Sequence, residues 1–413
     1  MSKATPANTL LNQSLPITEP AEPSDNKRRI GVIGGGQLAG MMAEEAPSLG
    51  VELVVQTPKP TDPAVAVASE TIFAPIDDAA ATAQLANRCE VITFENEFIN
   101  LEALRPLEQQ GVCFRPRLEA LAPLLDKYEQ RCYLEDIGLP TLSFIALDGE
   151  VGKDGSSFQE AIKATTLNQL DFPLVLKARR HGYDGRGTFI VENDEALQDI
   201  WKKLDYQPVL LEEFIPFERE LAVMAARSSS GEVVVYPVVE TQQENQVCRR
   251  VIVPADVSPS VVAEIEAIAR KLLNQLQVVG IFGIELFLTR SGKVLINEIA
   301  PRTHNSGHYT LDACETSQFE QQLRAVAGFP LGSPAMRCGG AVMVNLLGFE
   351  HAQDDYLPRR QQLQIAPKTY VHWYGKTASY PGRKLGHVTV LLETASSSQA
   401  QAIAQKIESI WYG

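Results

Sequence analysis

Lys177 ends an apolar run, Phe172-Pro-Leu-Val-Leu-Lys177, that reads as a buried strand. The next ten residues, Ala178-Arg-Arg-His-Gly-Tyr-Asp-Gly-Arg-Gly187, hold three glycines and three arginines before Thr188-Phe-Ile-Val191 resumes β character. Glycine lets backbone N–H groups approach phosphate oxygens, and a lysine beside them adds a point charge. A mobile loop of this kind can cover nucleotide phosphates; the same residues also suit a plain glycine-rich hairpin. It is not a P-loop, since no G-x-x-x-x-G-K-[ST] runs into a helix here.

A second group of residues could hold a cation. Gly283-Ile-Glu285-Leu-Phe-Leu288 leads to a turn at Ser291-Gly292, and Val294-Leu-Ile-Asn297-Glu298 returns. A hairpin there brings Glu285 and Glu298 together with Asn297 beside them. Two carboxylates among apolar strand residues are costly to bury unless positive charge lies between them. Mg²⁺ carrying a triphosphate suits this donor set, with Mn²⁺ as a substitute; an arginine or lysine partner is the other solution. Pro301-Arg-Thr-His-Asn-Ser-Gly-His308 follows directly and reads as an anion site beside the γ-phosphate. His304 and His308 are spaced i, i+4, but Gly307 between them argues against a helix and hence against zinc. Further on, His372-Trp-Tyr-Gly-Lys376 and Pro381-Gly-Arg-Lys-Leu-Gly-His387 concentrate basic charge. They read as a phosphate clamp for a second substrate or as a solvated hairpin.

Near the N-terminus, Gly34-x-Gly36-x-x-Ala39 follows a strand and opens a helix. A dinucleotide site would also want an acidic residue at the end of the second strand, and Gln56 stands there, so a standard NAD site is rejected. The turn suits either another phosphate at a helix N-terminus or close strand–helix packing.

These residues must be positioned by a chain of 413 residues, enough for two or three domains with ample cores. A net charge of −14 argues against a general nucleic-acid surface, so an anionic substrate needs a local basic pocket. Six scattered cysteines without C-x-x-C suit a reducing cytosol, and no apolar run is long enough for a membrane span. Residues 1–28, rich in Pro, Ser, Thr, Asn and Glu, read as a disordered extension. Alternating strands and helices over 29–120 predict a doubly wound parallel α/β domain, with strands at 29–33, 51–55 and 91–94 and helices over 38–49 and 101–110. From 121 to 330 the pattern predicts an α+β domain. It contains helices over 126–138 and 260–276, and a subdomain over about 141–215 with the glycine loop and one helix over 158–167. Residues 331–413 form a small β-rich end piece.

Lys177 with its glycine loop, the Glu212-Glu213-Phe214-Ile215 linker with Glu220, and Glu285 with Asn297-Glu298 resemble the ATP-grasp superfamily. Within it, Tyr183-Asp-Gly-Arg-Gly187, His304-Asn-Ser-Gly-His308 and Pro381-Gly-Arg-Lys384 resemble the N5-carboxyaminoimidazole ribonucleotide synthetases, over about residues 29–395. The resemblance implies a pre-ATP-grasp domain, an ATP-grasp domain, a C-terminal barrel-like piece and a cytoplasmic homodimer that binds neither nucleic acid nor membrane. It also implies the reaction of ATP, bicarbonate and 5-aminoimidazole ribonucleotide to the N5-carboxylated ribonucleotide, ADP and phosphate. ATP would be held by Lys127 and Lys177, by the flap Gly182, Tyr183, Asp184, Gly185, Arg186 and Gly187, and by the linker. Glu220 would meet the ribose, and Gln243, Asn297 and Glu298 complete the nucleotide set. Glu285 and Glu298 would hold Mg²⁺. Arg302, His304 and Asn305 would orient bicarbonate or carboxyphosphate. Tyr183 and Asp184 would face the aminoimidazole, with Asp184 taking the amine proton. Lys376, Arg383 and Lys384 would grip the ribose phosphate, helped by Gly36 and Gln37. Two places depart from the family pattern: Gly40 stands where an arginine is usual, and Gln243 where a histidine is common. The competing readings are a formate-dependent glycinamide ribonucleotide transformylase-like ligase and a non-catalytic nucleotide-binding module.

Overall fold

The computed structural model describes residues 27–147, 170–180, 187–364 and 367–413. Most of the glycine loop, Gly182 to Arg186, lies outside the described residues, as do the helix expected over 158–167 and the N-terminal extension up to residue 26.

The first unit is a four-stranded parallel sheet in the order Glu70–Phe73, Val51–Thr57, Arg28–Ile33, Val91–Phe94. Ile30, Val32, Leu53, Val55 and Ile92 are buried, as strands covered on both faces by helices must be. The edge strand Glu70–Phe73 and the helix Ala79–Ala86 carry too weak a periodicity to be expected from sequence; the helix is made by its Asp78 cap, which accepts from Ala80 and Ala81 N–H.

Lys177 lies in a second, antiparallel sheet of order Phe144–Leu147, Val209–Glu213, Leu174–Ala178, Thr188–Val191. The helix Asp194–Lys203 closes its apolar face, with Leu197 and Trp201 packed against Leu174, Leu176 and Leu211.

The third sheet has nine strands. Its path runs Val294–Ala300, Gly280–Thr289, Phe217–Arg227, Val239–Glu244, Val247–Val253, Gly340–Leu347, Lys384–Leu392, Thr369–Trp373, and Val233–Val235 pairs off Phe217–Arg227. The strands of the C-terminal segment thus continue the central sheet, through Val247–Val253 against Gly340–Leu347. A helix, Pro259–Leu276, covers one face with Ile265, Ile268, Leu272 and Leu276; Ser258 caps it and Pro259 starts it. A further helix, Ser397–Tyr412, packs Ala400, Ala404, Ile407 and Trp411 onto the C-terminal strands. No helix of the described residues is long and apolar enough to cross a membrane.

Candidate active site

The buried end of the lysine strand is an ion-pair network. Lys177 Nζ lies 2.7 Å from Glu212 Oε2 and donates to Asn297 Oδ1 at 3.0 Å. Arg131, on the helix Lys127–Asp136, donates from Nε to Glu212 Oε1 at 2.6 Å. Its other nitrogens reach the carbonyls of Ile296 at 3.0 Å and Asn297 at 2.6 Å. Burial alone would raise the Glu212 pKa, but the two cations outweigh it and hold the carboxylate at about 2. Burial lowers the Lys177 pKa, with Arg131 and Lys127 adding to it and Glu212 opposing. Asp126 caps the Lys127 helix and pairs with Arg179 at 2.9 Å and Arg180 at 3.2 Å, which ties the helix to the residues entering the glycine loop. The end of that loop, Gly187, has a left-handed φ of 84°, and its carbonyl accepts from Ala178 N–H. The linker residues Glu212, Glu213, Phe214 and Ile215 follow at the cleft rim, where Glu213 accepts from Ser143 N–H.

The expected carboxylate hairpin forms, with Glu285 directly opposite Glu298. A register shift follows at Glu285/Leu286, so Glu298 and Asn297 both border the cleft with Glu285. Lys127 Nζ is 2.6 Å from Glu298 Oε1, and His304 Nε2 is 3.7 Å from Glu285 Oε1. Burial works against ionisation of Glu298, but Lys127 pulls its pKa well down. Glu285 is pushed up by burial and by the Glu298 charge facing it, and Glu220, on the next strand, rises to about 7 for the same two reasons, burial and the charge of Glu285. Three carboxylates therefore line one wall, and when all three are ionised their charge exceeds that of Lys127 and Lys177. Oxygen donors with this surplus charge fit a hard divalent cation.

Next to the hairpin, Arg302 grips Glu97 with Nε at 2.8 Å and Nη2 at 3.0 Å. His304 Nδ1 is 2.9 Å from Ser306 Oγ, and its Cβ fills the space where a Cβ on Gly283 would come within 2.6 Å. Asn305 borders the cleft, but its amide exchanges two hydrogen bonds with Asn345, at 2.9 and 2.7 Å. His308 is fully buried against Phe319 and takes a hydrogen bond from Gln318, so it joins no site with His304.

At the other end of the cleft, residues far apart in sequence meet. Lys376 Nζ donates to Gln37 Oε1 at 2.6 Å, a contact across 339 positions, and to the Lys384 carbonyl at 2.9 Å. Arg383 donates to the Ala378 carbonyl and lies over the Tyr380 ring. The helix N-terminus after the Gly34 turn is taken by Glu95: its carboxylate accepts from Leu38 N–H, and a Cβ on Gly36 would lie 2.3 Å from Glu95 Oε1. The close-packing reading of that turn fits this arrangement, since Gly36 packs on a carboxylate that takes the helix N-terminus, while Gln37 reaches the basic tail. Gly40 backs onto Pro63 and Ala64 and offers no phosphate donor. Gln56 is buried and bonded to the Pro75 carbonyl and Thr82, a structural role. Gln243 sits at a bulge on the cleft wall, opposite Cys248. A single cleft of about 1610 Å³ joins the carboxylate wall to the Lys376 end.

Sequence reading missed Arg131, Glu95 and Glu97. The run Phe94-Glu-Asn-Glu97, acidic residues at the carboxyl end of a parallel strand, is a signal for the latter two. Arg131 left no signal, because an arginine inside a helix is ordinarily solvent-facing.

A lysine strand, a carboxylate hairpin and a preceding parallel domain around one cleft define an ATP-grasp enzyme. Accordingly, the ATP-grasp domain model matches residues 134–319, the ribonucleotide synthetase preATP-grasp domain 27–123, and the phosphoribosylaminoimidazole carboxylase C-terminal domain 341–401. N5-carboxyaminoimidazole ribonucleotide synthase of Synechococcus elongatus is 53% identical over 388 residues, 93% of this chain and 95% of the relative. That of Synechocystis is 51% identical over 395 residues, 93% of this chain and 98% of the relative. A crystal structure of the Aspergillus clavatus synthase in complex with ADP and 5-aminoimidazole ribonucleotide is 31% identical with a TM-score of 0.84, covering 94% of this chain and 99% of that one. The chain belongs to the N5-carboxyaminoimidazole ribonucleotide synthase family of ATP-grasp ligases.

Proposed function

We propose that the protein uses ATP and bicarbonate to carboxylate the amine of 5-aminoimidazole ribonucleotide, giving N5-carboxyaminoimidazole ribonucleotide, ADP and phosphate. The observation that carries this is the single cleft with a carboxylate wall beside Lys177 at one end and the Gln37–Lys376 contact at the other. The two ends have the charges that a nucleotide–metal pair and a sugar phosphate require. Bicarbonate oxygen attacks the γ-phosphorus, ADP leaves, and carboxyphosphate forms. The amine nitrogen then attacks the carboxyl carbon and phosphate leaves. Phosphoryl transfer needs positioning and charge neutralisation more than covalent help, so lysine and arginine suffice as protein groups. Lys127 and Lys177 hold the nucleotide phosphates, the linker carries the adenine and Glu220 the ribose. Glu285 and Glu298 would hold Mg²⁺, which when bound neutralises phosphate charge. Arg302, fixed by Glu97, and His304 orient the bicarbonate. Lys376, Arg383 and Lys384 hold the ribose phosphate. On the motif, Asp184 accepts the amine proton. The reaction runs in the cytoplasm as a homodimer; six scattered cysteines without C-x-x-C suit a reducing compartment.

The test is phosphate release from ATP with bicarbonate, with and without the aminoimidazole ribonucleotide. Strong stimulation by the ribonucleotide is expected, and its absence overturns the assignment.

A further inference from the structure

Two histidines of the basic tail segments meet at a place that does not line the cleft. His372 and His387 face each other across the antiparallel pair Thr369–Trp373 and Lys384–Leu392, with rings stacked 4.5 Å apart. Directly opposed strand positions bring Cβ atoms close enough for two imidazoles to share one ligand. Asp312, in the short helix Thr310–Ala313, places Oδ2 at 2.9 Å from His372 Nε2. One ligand atom from each of Asp312, His372 and His387 lies within 4.8 Å of the other two.

His387 adds an independent observation. Its ring is fully buried, and Nδ1 lies 2.8 Å from the Tyr374 hydroxyl, yet Nε2 has no partner. An unsatisfied polar atom in a dry interior is costly. A Tyr374 hydroxyl accepting from Nδ1–H leaves a bare lone pair on Nε2, the arrangement in which metal-bound histidines are held by an outer partner. Burial and the neighbouring His308 and His372 keep His387 in the neutral form that ligates. His308 is not a further ligand. Gln318 is oriented by His304, accepting from its N–H and donating to its carbonyl, so it donates to His308 Nδ1 and leaves the His308 proton on Nε2.

We propose that Asp312, His372 and His387 bind one divalent first-row transition ion, zinc being the ion this donor set suits best. Two imidazoles and one carboxylate favour such an ion over magnesium, and three protein ligands leave a position for water. Ligand atoms about 2.0–2.1 Å from tetrahedral zinc lie roughly 3.4 Å apart, so no pair closes by more than roughly 1.5 Å; because an imidazole binds in its ring plane, the His372 ring must also turn out of its 14° stack on His387. The His372 side chain is 29% exposed and gives the ion its entry. Bound there, it would tie the Thr310–Ala313 helix to the two strands that flank Lys376 and Lys384.

Untagged full-length protein, stripped by chelator and kept in saturating Mg²⁺, is titrated with Zn²⁺ against a chromophoric chelator and with Co²⁺ by visible absorption. One Zn²⁺ per chain and a four-coordinate Co²⁺ spectrum are expected, with affinity weakened at least roughly tenfold in both His372→Ala and Asp312→Asn. Glu298→Gln should bind zinc like the parent. The proposal is overturned if the parent takes up no zinc, if both ligand variants hold it as tightly, or if Glu298→Gln loses it. Anomalous diffraction from zinc-soaked crystals decides without any variant: a peak between the three side chains supports the site, and its absence there overturns it.

Discussion

At the scale of single residues, burial and pairing set the chemistry. Arg131 is the clearest case: its guanidinium is spent on Glu212 and two carbonyls of the hairpin strand, and so it fixes Lys177 and Asn297 together. Replacing Arg131 with Met leaves Glu212 buried with only Lys177 as partner. It should cost about 3–5 kcal/mol in urea unfolding. The Lys variant should recover only part of that, since one ammonium cannot serve three acceptors. Glu220 carries a pH signature. Its folded pKa of about 7 exceeds the ordinary carboxylate value, so the nucleotide-free protein binds an extra proton between about pH 4.5 and 7. That contribution to stability is complete below about pH 4.5 and is lost as pH rises through 7. Ligand binding that requires charged carboxylates must then expel protons. Calorimetry of Mg–ATP binding near pH 6.5 in buffers of different ionisation enthalpy should show net proton release, smaller in Glu220→Gln. Equal release from parent and variant would remove Glu220 from this account.

At the scale of elements, the hairpin Gly280–Thr289 with Val294–Ala300 serves the site twice. One register pair aligns Glu285 with Glu298, and Gly283, two residues earlier, leaves the room that His304 fills. Both followed from local pattern only in part. The turn at Ser291-Gly292 and the apolar strands around the carboxylates were legible, because hairpin pairing is short-range. The need for glycine at 283 was not, because its neighbour arrives from a later loop. Gly283→Ala should push His304 aside, with about 1–3 kcal/mol lost in thermal unfolding. Phosphate release stimulated by the ribonucleotide should fall by roughly 10–100-fold while ATP affinity stays near the parent value. An unchanged rate would show that His304 needs no such fixed place. The parallel sheet of the first unit was legible through its glycine turn and buried strands. Its edge strand Glu70–Phe73 was not, since four residues carry almost no periodicity.

At the scale of the whole molecule, the Lys376 end of the cleft exists only because two segments 339 positions apart meet. Gln37 opens the first helix, Lys376 follows a strand of the last segment, and the nine-stranded sheet that carries the carboxylates continues into that segment. Lys376→Ala should raise the KM for the aminoimidazole ribonucleotide by roughly 10–100-fold, consistent with loss of a charged hydrogen bond of about 1.5–3 kcal/mol, and leave the KM for ATP nearly unchanged. A parallel rise in both would mean that Lys376 supports the fold of the cleft and not the second substrate. The sequence by itself determined the element types, the lysine strand, the carboxylate hairpin and the family, because these rest on periodicity and on motifs within a few tens of residues. Only the tertiary structure decided that Arg131 locks the lysine, that Glu95 takes the first helix N-terminus, that Glu97 holds Arg302, and that His308 belongs to the core while His372 and His387 gather around Asp312. Each of these is a contact between elements distant in sequence. Burial and charge pairing select such partners after the elements have packed, and no local pattern carries that information.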